Sequence, residues 1–398
     1  MPGVATQGQV RAALWRVGLA LLGVGAGLLL AEVVLRFAQP VPVELMLPIP
    51  YHERRFKRLV VGDTYVRFDA GLGWVTTPDI TRRAGNVTYH NNRAGLRSDR
   101  EYEPQPAPGL RRLAAFGDSF TYCHEVDLAD CWTTQLEQAW PNTEVLNFGV
   151  PGYGPDQAWL RYQRDGARLQ PCGVLIGYMI ENINRVVNRF RPFLVPETDL
   201  IASKPRFLLD GDGLTLMPNP ATDPRQLEDP GWVERVVGQN DRWYFPGMLV
   251  ANPLDGFQLV RLARTAAYRE QHGDPDVDGM AWAYRERGEA FEITGRVLID
   301  FARQVRRDGG SPVVLVFSPA AGIEAALRGE APEYAPLLDW LRREGVQTID
   351  LTDELVQEAR RSGVSSVARF HYTPQGNAAI AAALARRLPE LVGKTCGM

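Results

Sequence analysis

The chain has 398 residues, 45% apolar and 23% charged, with a net charge of −3. That length holds roughly two to three domain-sized units, and the composition is that of an ordinary globular protein. The charge balance gives no electrostatic case for nucleic acid as a partner. Of the four cysteines (Cys123, Cys131, Cys172 and Cys396) none forms a C-x-x-C pair, so no zinc signature is present.

Residues 17–31 form an unbroken apolar run, which continues past Glu32 to Leu35. As a helix, residues 17–35 span about 28 Å, close to a bilayer core. Arg16 and Arg36 stand at its ends, where they can snorkel. Glu32 and Arg36 are spaced i,i+4, so each lessens the other's desolvation cost. No small-x-small cleavage site follows, and a retained single-pass anchor is expected. Arg11 and Arg16 place the short tail in the cytoplasm and the main domain in the periplasm or outside the cell. The cluster Arg54, Arg55, Lys57 and Arg58 pulls the other way. Gly23 and Gly27 make a GxxxG face suited to a membrane-protein partner.

Residues 1–38 are thus read as tail and anchor, and 39–110 as a linker and a small β-containing segment. The Pro-rich stretch 40–57 is the linker. Residues 60–100 read as short strands and turns, punctuated by Gly71-Leu72-Gly73-Trp74 and by Asn91-Asn92-Arg93-Ala94-Gly95-Leu96-Arg97.

From Leu113 strands and helices alternate. Strands are expected at 113–116, 144–148, 174–179, 312–317 and 346–351, and helices at 132–140, 155–169, 289–307, 334–343 and 375–388. Such alternation predicts an α/β fold, a parallel sheet with helices on both faces. Residues 111–392 form this domain, with a long insertion at about 185–285 that suits a lid or docking surface, and 393–398 form a tail.

The first strand stops at Gly117-Asp118-Ser119. A helix-compatible stretch follows, so Ser119 is expected at a strand's carboxyl end just before a helix, where ligands bind in such sheets. Three further loops carry suggestive residues. Asn147-Phe148-Gly149-Val150-Pro151-Gly152 is rich in glycine and allows close backbone approach. Glu181-Asn182-Ile183-Asn184 offers an amide donor. Phe370-His371-Tyr372-Thr373 offers a general base for a serine. Cys123 and Cys131, eight apart beyond Ser119, either close a small loop in an oxidising compartment or remain two buried thiols. No metal or nucleotide motif appears, so no cofactor is expected.

In these four blocks the chain resembles the SGNH or GDSL hydrolases, and the anchor followed by Gly-Leu-Gly-Trp resembles their membrane-anchored bacterial members. The resemblance implies a flavodoxin-like sheet, Ser119 as nucleophile, His371 as catalytic base, and Gly152 and Asn182 as oxyanion donors. It also implies an ester-bearing substrate, such as an acylated polysaccharide or a lipid, and either hydrolysis or acyl (acetyl) transfer. Three positions depart from the family pattern. Ala368 stands where an Asp usually precedes the His, and Arg369 fills the variant spacing. Cys123 replaces a Gly, and Ile183 follows Asn182 where Asp is common. Another group, such as a backbone carbonyl or Glu181, would then have to orient His371. The rival expectation is a retired hydrolase serving as a structural or binding subunit of a membrane complex.

Overall fold

The computed structural model describes residues 7–38, 65–195, 198–250, 253–272 and 281–397. The linker and basic cluster expected within residues 39–64 lie outside these. The chain groups into two compact units, residues 1–50 with 245–274, and residues 51–244 with 275–398.

In the first unit, helix α1 (Gln7–Ala38) carries the expected apolar run. Its stretch Arg11–Phe37 contains an 18-residue window with a mean hydropathy of 2.2 and is long and apolar enough to cross a membrane. Glu32 is buried within it. Arg36 Nε donates to Glu32 at 2.9 Å, bearing out the i,i+4 pairing. The same carboxylate accepts the N–H groups of Gln258 (2.9 Å) and Leu259 (3.0 Å). It therefore caps the helix Gln258–His272, whose first turn would otherwise leave those donors unpaired. One acidic residue in an apolar helix thus fixes a segment from the middle of the insertion.

The second unit begins with two antiparallel pairs, β1 (Val66–Asp69) with β2 (Gly73–Thr76), and β3 (Ile80–Ala84) with β4 (Val87–Asn91). A five-stranded parallel sheet follows, made of β5 (Arg111–Phe116), β6 (Thr143–Asn147), β7 (Gly173–Met179), β8 (Ser311–Phe317) and β9 (Gln347–Asp350). Its spatial order is β6-β5-β7-β8-β9. That is the flavodoxin-like order 2-1-3-4-5. The central strands β7 and β8 are near-continuous apolar runs because both faces are covered.

Helices α2 (Trp132–Ala139) and α8 (Pro374–Val392) pack together, with α7 (Thr352–Ser362) and α5 (Ala320–Leu327) beside them. Helices α3 (Pro155–Arg161), α4 (Glu289–Arg307) and α6 (Ala335–Arg343) form the second group. Helices α5 and α7 went unpredicted, and the helix expected over 155–169 stops at Arg161, giving way to a π-turn and a 3₁₀ turn. The insertion contributes a hairpin of Arg206–Asp210 and Gly213–Met217 to this unit.

Two expectations are corrected. No helix begins at Ser119. Residues 119–125 form a run of turns, because Cys123 (φ 58°) and Glu125 (φ 71°) are left-handed, and the first α-helix starts at Trp132. The Cys123–Cys131 bridge does not form either, so the buried-thiol alternative holds. The left-handed turn aims the Cys123 thiol at the Thr121 carbonyl, 3.6 Å away. The disulfide joins Cys172, just before β7, to Cys396 beyond α8, across 224 residues.

Candidate active site

Ser119 stands at the carboxyl end of β5, where the chain's strand order reverses between β5 and β7, the position at which open α/β sheets bind ligands. Its turn closes on Tyr122 N–H to Asp118 O and His124 N–H to Ser119 O, both 2.9 Å. Asp118 is fully buried. Its carboxylate accepts from the Phe120 N–H (2.9 Å) and from Arg185 Nη1 (3.0 Å), which fixes the serine's neighbours.

Glycine lets the next loop support this turn. A Cβ on Gly149 would meet the Tyr122 N–H and the Thr121 carbonyl carbon, so only a glycine admits the nucleophile's backbone there. Three residues on, Gly152 adopts φ 85° against Trp74. The Trp74 indole N–H donates to Pro151 O (2.9 Å), and the Tyr153 hydroxyl donates to Trp74 O (2.6 Å). The Gly-Leu-Gly-Trp segment therefore builds the wall behind the glycine loop.

His371 lies on the loop before α8. The Tyr372 hydroxyl donates to Ser318 O (2.8 Å) at the end of β8, and Asn377 Nδ2 donates to Tyr372 O (3.1 Å), tying that loop to the sheet. The imidazole Nε2 is 2.9 Å from Ser119 Oγ, across 252 residues of sequence. Accepting the serine proton at Nε2 requires the tautomer with hydrogen on Nδ1.

Facing Nδ1 is a carboxylate that sequence reasoning missed. Glu125 Oε1 lies 3.3 Å from His371 Nδ1, within ion-pair range, although Nδ1 makes no well-aligned hydrogen bond. Glu125, and not Glu181, is the carboxylate that stands beside the imidazole. Its left-handed backbone turns the side chain toward the imidazole, and its N–H donates to the Tyr89 hydroxyl of β4 (3.0 Å). Around it Tyr65, Tyr89 and Tyr122 stack, with Arg97 4.5 Å above the Tyr89 ring and 4.8 Å above Tyr122. The small β segment thus holds the turn that carries both Ser119 and Glu125.

His124 packs edge-on against His371, with ring centroids 4.8 Å apart, and its Nε2 is 3.1 Å from the Tyr65 hydroxyl. Burial, then the neighbouring His371 and Arg97, push its pKa down to about 3, so it stays neutral. His124, Glu125 and His371 bring ligand-type atoms within 4.8 Å of one another. The Nε2 atoms of both histidines already face hydroxyls, those of Tyr65 and Ser119.

Ser119, Gly152 and His371 line one pocket of about 410 Å³. Asn182 is not among its lining residues. It lies buried in the 3₁₀ turn Ile180–Asn184 after β7, the strand beside β5, and its Oδ1 has no partner. Three of the four expected residues are brought together, and the fourth sits on the adjoining strand end.

The sheet order and the Ser119–His371 pair are the arrangement that the SGNH/GDSL resemblance implies. No protein-family model matches the chain, and no curated protein matches it in sequence. Among solved structures, it is similar to a lipase/acylhydrolase from Enterococcus faecalis, at 12% identity over 72% of this chain and 97% of that one, with a TM-score of 0.35. An acetyl xylan esterase from Geobacillus stearothermophilus gives 12% identity over 71% and 94%, with a TM-score of 0.36. A two-domain esterase active on acetylated mannans gives 9% identity over 73% and 52%, with a TM-score of 0.35.

Proposed function

We propose that the chain is a serine ester hydrolase or acyltransferase held at a membrane by α1. The observation that carries this reading is the 2.9 Å contact between Ser119 Oγ and His371 Nε2, with a carboxylate on the far side of the ring.

Ser119 Oγ attacks the ester carbonyl carbon while His371 Nε2 takes its proton. The Ser119 N–H and the Gly152 N–H receive the oxyanion, each such donor being worth about 10²–10³ in rate, and Asn182 joins them only if its buried amide turns into the pocket. The imidazolium returns its proton to the departing alcohol, leaving an acyl-serine. His371 then deprotonates a water, or an acceptor hydroxyl, whose oxygen attacks the acyl carbon and releases Ser119. Glu125 stabilises the transient imidazolium through its Nδ1–H and holds the required tautomer.

The anchor and the Cys172–Cys396 disulfide support a domain outside the cytoplasm, where disulfides persist. An acylated polysaccharide or lipid is the substrate class this reading favours. The alternative of a retired binding subunit draws on Ala368, the other altered motif positions, the Gly-rich anchor and the long insertion; Glu125 supplies a carboxylate where Ala368 cannot. A fluorophosphonate probe tests the reading. Full-length protein in detergent is expected to be labelled, and Ser119→Ala to remain unlabelled. A wild-type chain that stays unlabelled alongside a reactive control esterase would overturn it.

A further inference from the structure

The pocket that holds Ser119 and His371 also has three arginines in its wall, Arg82 from β3, Arg185 beyond β7, and Arg191 at the start of the short turn of helix Arg191–Leu194. Their situations differ. Arg185 is committed to the protein, since its Nη1 donates to Asp118 Oδ2 (3.0 Å) and Tyr153 O (2.9 Å). The guanidinium groups of Arg82 and Arg191 make no hydrogen bond or ion pair among the described residues, although the Asp118 and Glu181 carboxylates lie near enough to Arg191 to favour its charged form. Asp199 is the acidic residue in the same wall, and it has an interaction of its own.

Arg191 is the more telling of the two. It is part-exposed, and its side chain lies in the wall of the pocket. Burial, and then the like charge of Arg185, push its pKa down to about 9, which still leaves it cationic at neutral pH. A partly desolvated cation without an acceptor is costly. An arginine's planar fork matches a carboxylate or phosphate in bidentate fashion. A ligand bringing such a group would relieve the cost of burial, and it would do so beside the nucleophile.

We infer that the pocket selects esters that carry an oxyacid anion, a carboxylate or a phosphate, elsewhere in the same molecule, with Arg191 as its principal receiver and Arg82 as a second cation. This rests on the serine-esterase reading of the site. The anion is a specificity element and takes no part in bond making. Arg191 therefore governs which ester is used, while Ser119 and His371 govern whether any is.

The experiment compares acetyl esters of one shape: 3-acetoxybenzoate and 3-acetoxyphenyl phosphate against the neutral 3-acetoxybenzamide. Full-length protein in detergent is expected to favour at least one anionic ester by about 10- to 100-fold in kcat/KM, as for a charge-assisted contact in a partly dry site. The two anionic arms tell carboxylate from phosphate. In Arg191→Gln the preference is expected to collapse while the benzamide is turned over as before, and Arg191→Lys is expected to restore part of it. Equal use of all three esters by the wild type, or an equal loss for all three in Arg191→Gln, would overturn the inference. If the wild type hydrolyses none of them, the esterase reading falls, and calorimetry with 3-hydroxybenzoate decides on the anion site alone. Binding at least tenfold weaker in Arg191→Gln sustains it, and no binding, or equal binding, overturns it.

Discussion

Glu125 Oε1 lies 3.3 Å from His371 Nδ1, and both residues are held there by parts of the chain that are far apart in sequence. The carboxylate is half-exposed, and the contact is not an aligned hydrogen bond. Two charges at that separation interact by about 1–5 kcal/mol between water-like and surface-like dielectric values. The orienting acid of a serine protease, buried and well aligned, is worth about 10⁴ in kcat. Glu125→Gln is therefore expected to lower kcat by about 10- to 100-fold with KM little changed, checked by steady-state hydrolysis of an activated acetyl ester. An unchanged kcat would mean that His371 is oriented by something else.

The nucleophile's turn rests on Gly149. Gly149→Ala puts a methyl group against the Thr121 and Tyr122 backbone. Overpacking of this kind costs about 1–3 kcal/mol. A lowered melting temperature is expected, with a fall in kcat beyond what the folded fraction explains. Thermal melts and assays on the same samples separate the two effects.

His124 makes the site sensitive to acid. Its pKa is held down to about 3 in the folded chain, whereas a free histidine titrates near about 6.5. Between these values only the unfolded chain takes up the proton, so stability falls as pH falls through that window. The penalty is absent above about 6.5 and complete below about 3, with an upper limit of about 5 kcal/mol. His124→Phe removes this titration. The variant is expected to lose less stability than the wild type between about pH 7 and pH 4, measured by denaturant unfolding at each pH.

The Cys172–Cys396 disulfide closes a 224-residue separation. Its removal in Cys172→Ser is expected to cost about 2–4 kcal/mol, read as a lower denaturation midpoint. Reductant should lower the wild-type midpoint to the same value and leave the variant unmoved.

Much of this architecture was legible because the buried strands are apolar runs. Val174 to Met179 and Pro312 to Phe317 are covered on both faces, and their boundaries were read to within a residue. Ser119 and His371 stood at strand and helix junctions, where chemistry is expected. Glu125 was not legible, because its reach to His371 depends on a left-handed φ that nothing in Cys123-His124-Glu125 announces. The spacing of Cys123 and Cys131 left bridge and free thiols open, and the Cys172–Cys396 pairing was not legible because it is the sheet and the last helix that bring those two together. Helix α7 was missed because only Leu355, Val356 and Ala359 mark its apolar face amid charged residues. The cap that Glu32 gives Gln258 joins residues 226 apart, and no local pattern encodes it.

The most direct test of the central claim is intact-mass analysis of full-length protein quenched during turnover of 4-nitrophenyl acetate, with peptide mapping of the adduct. The account predicts one acetyl group on Ser119, absent in Ser119→Ala and formed far more slowly in His371→Ala. An acetyl group on another residue, or hydrolysis that survives unchanged in Ser119→Ala, would contradict it.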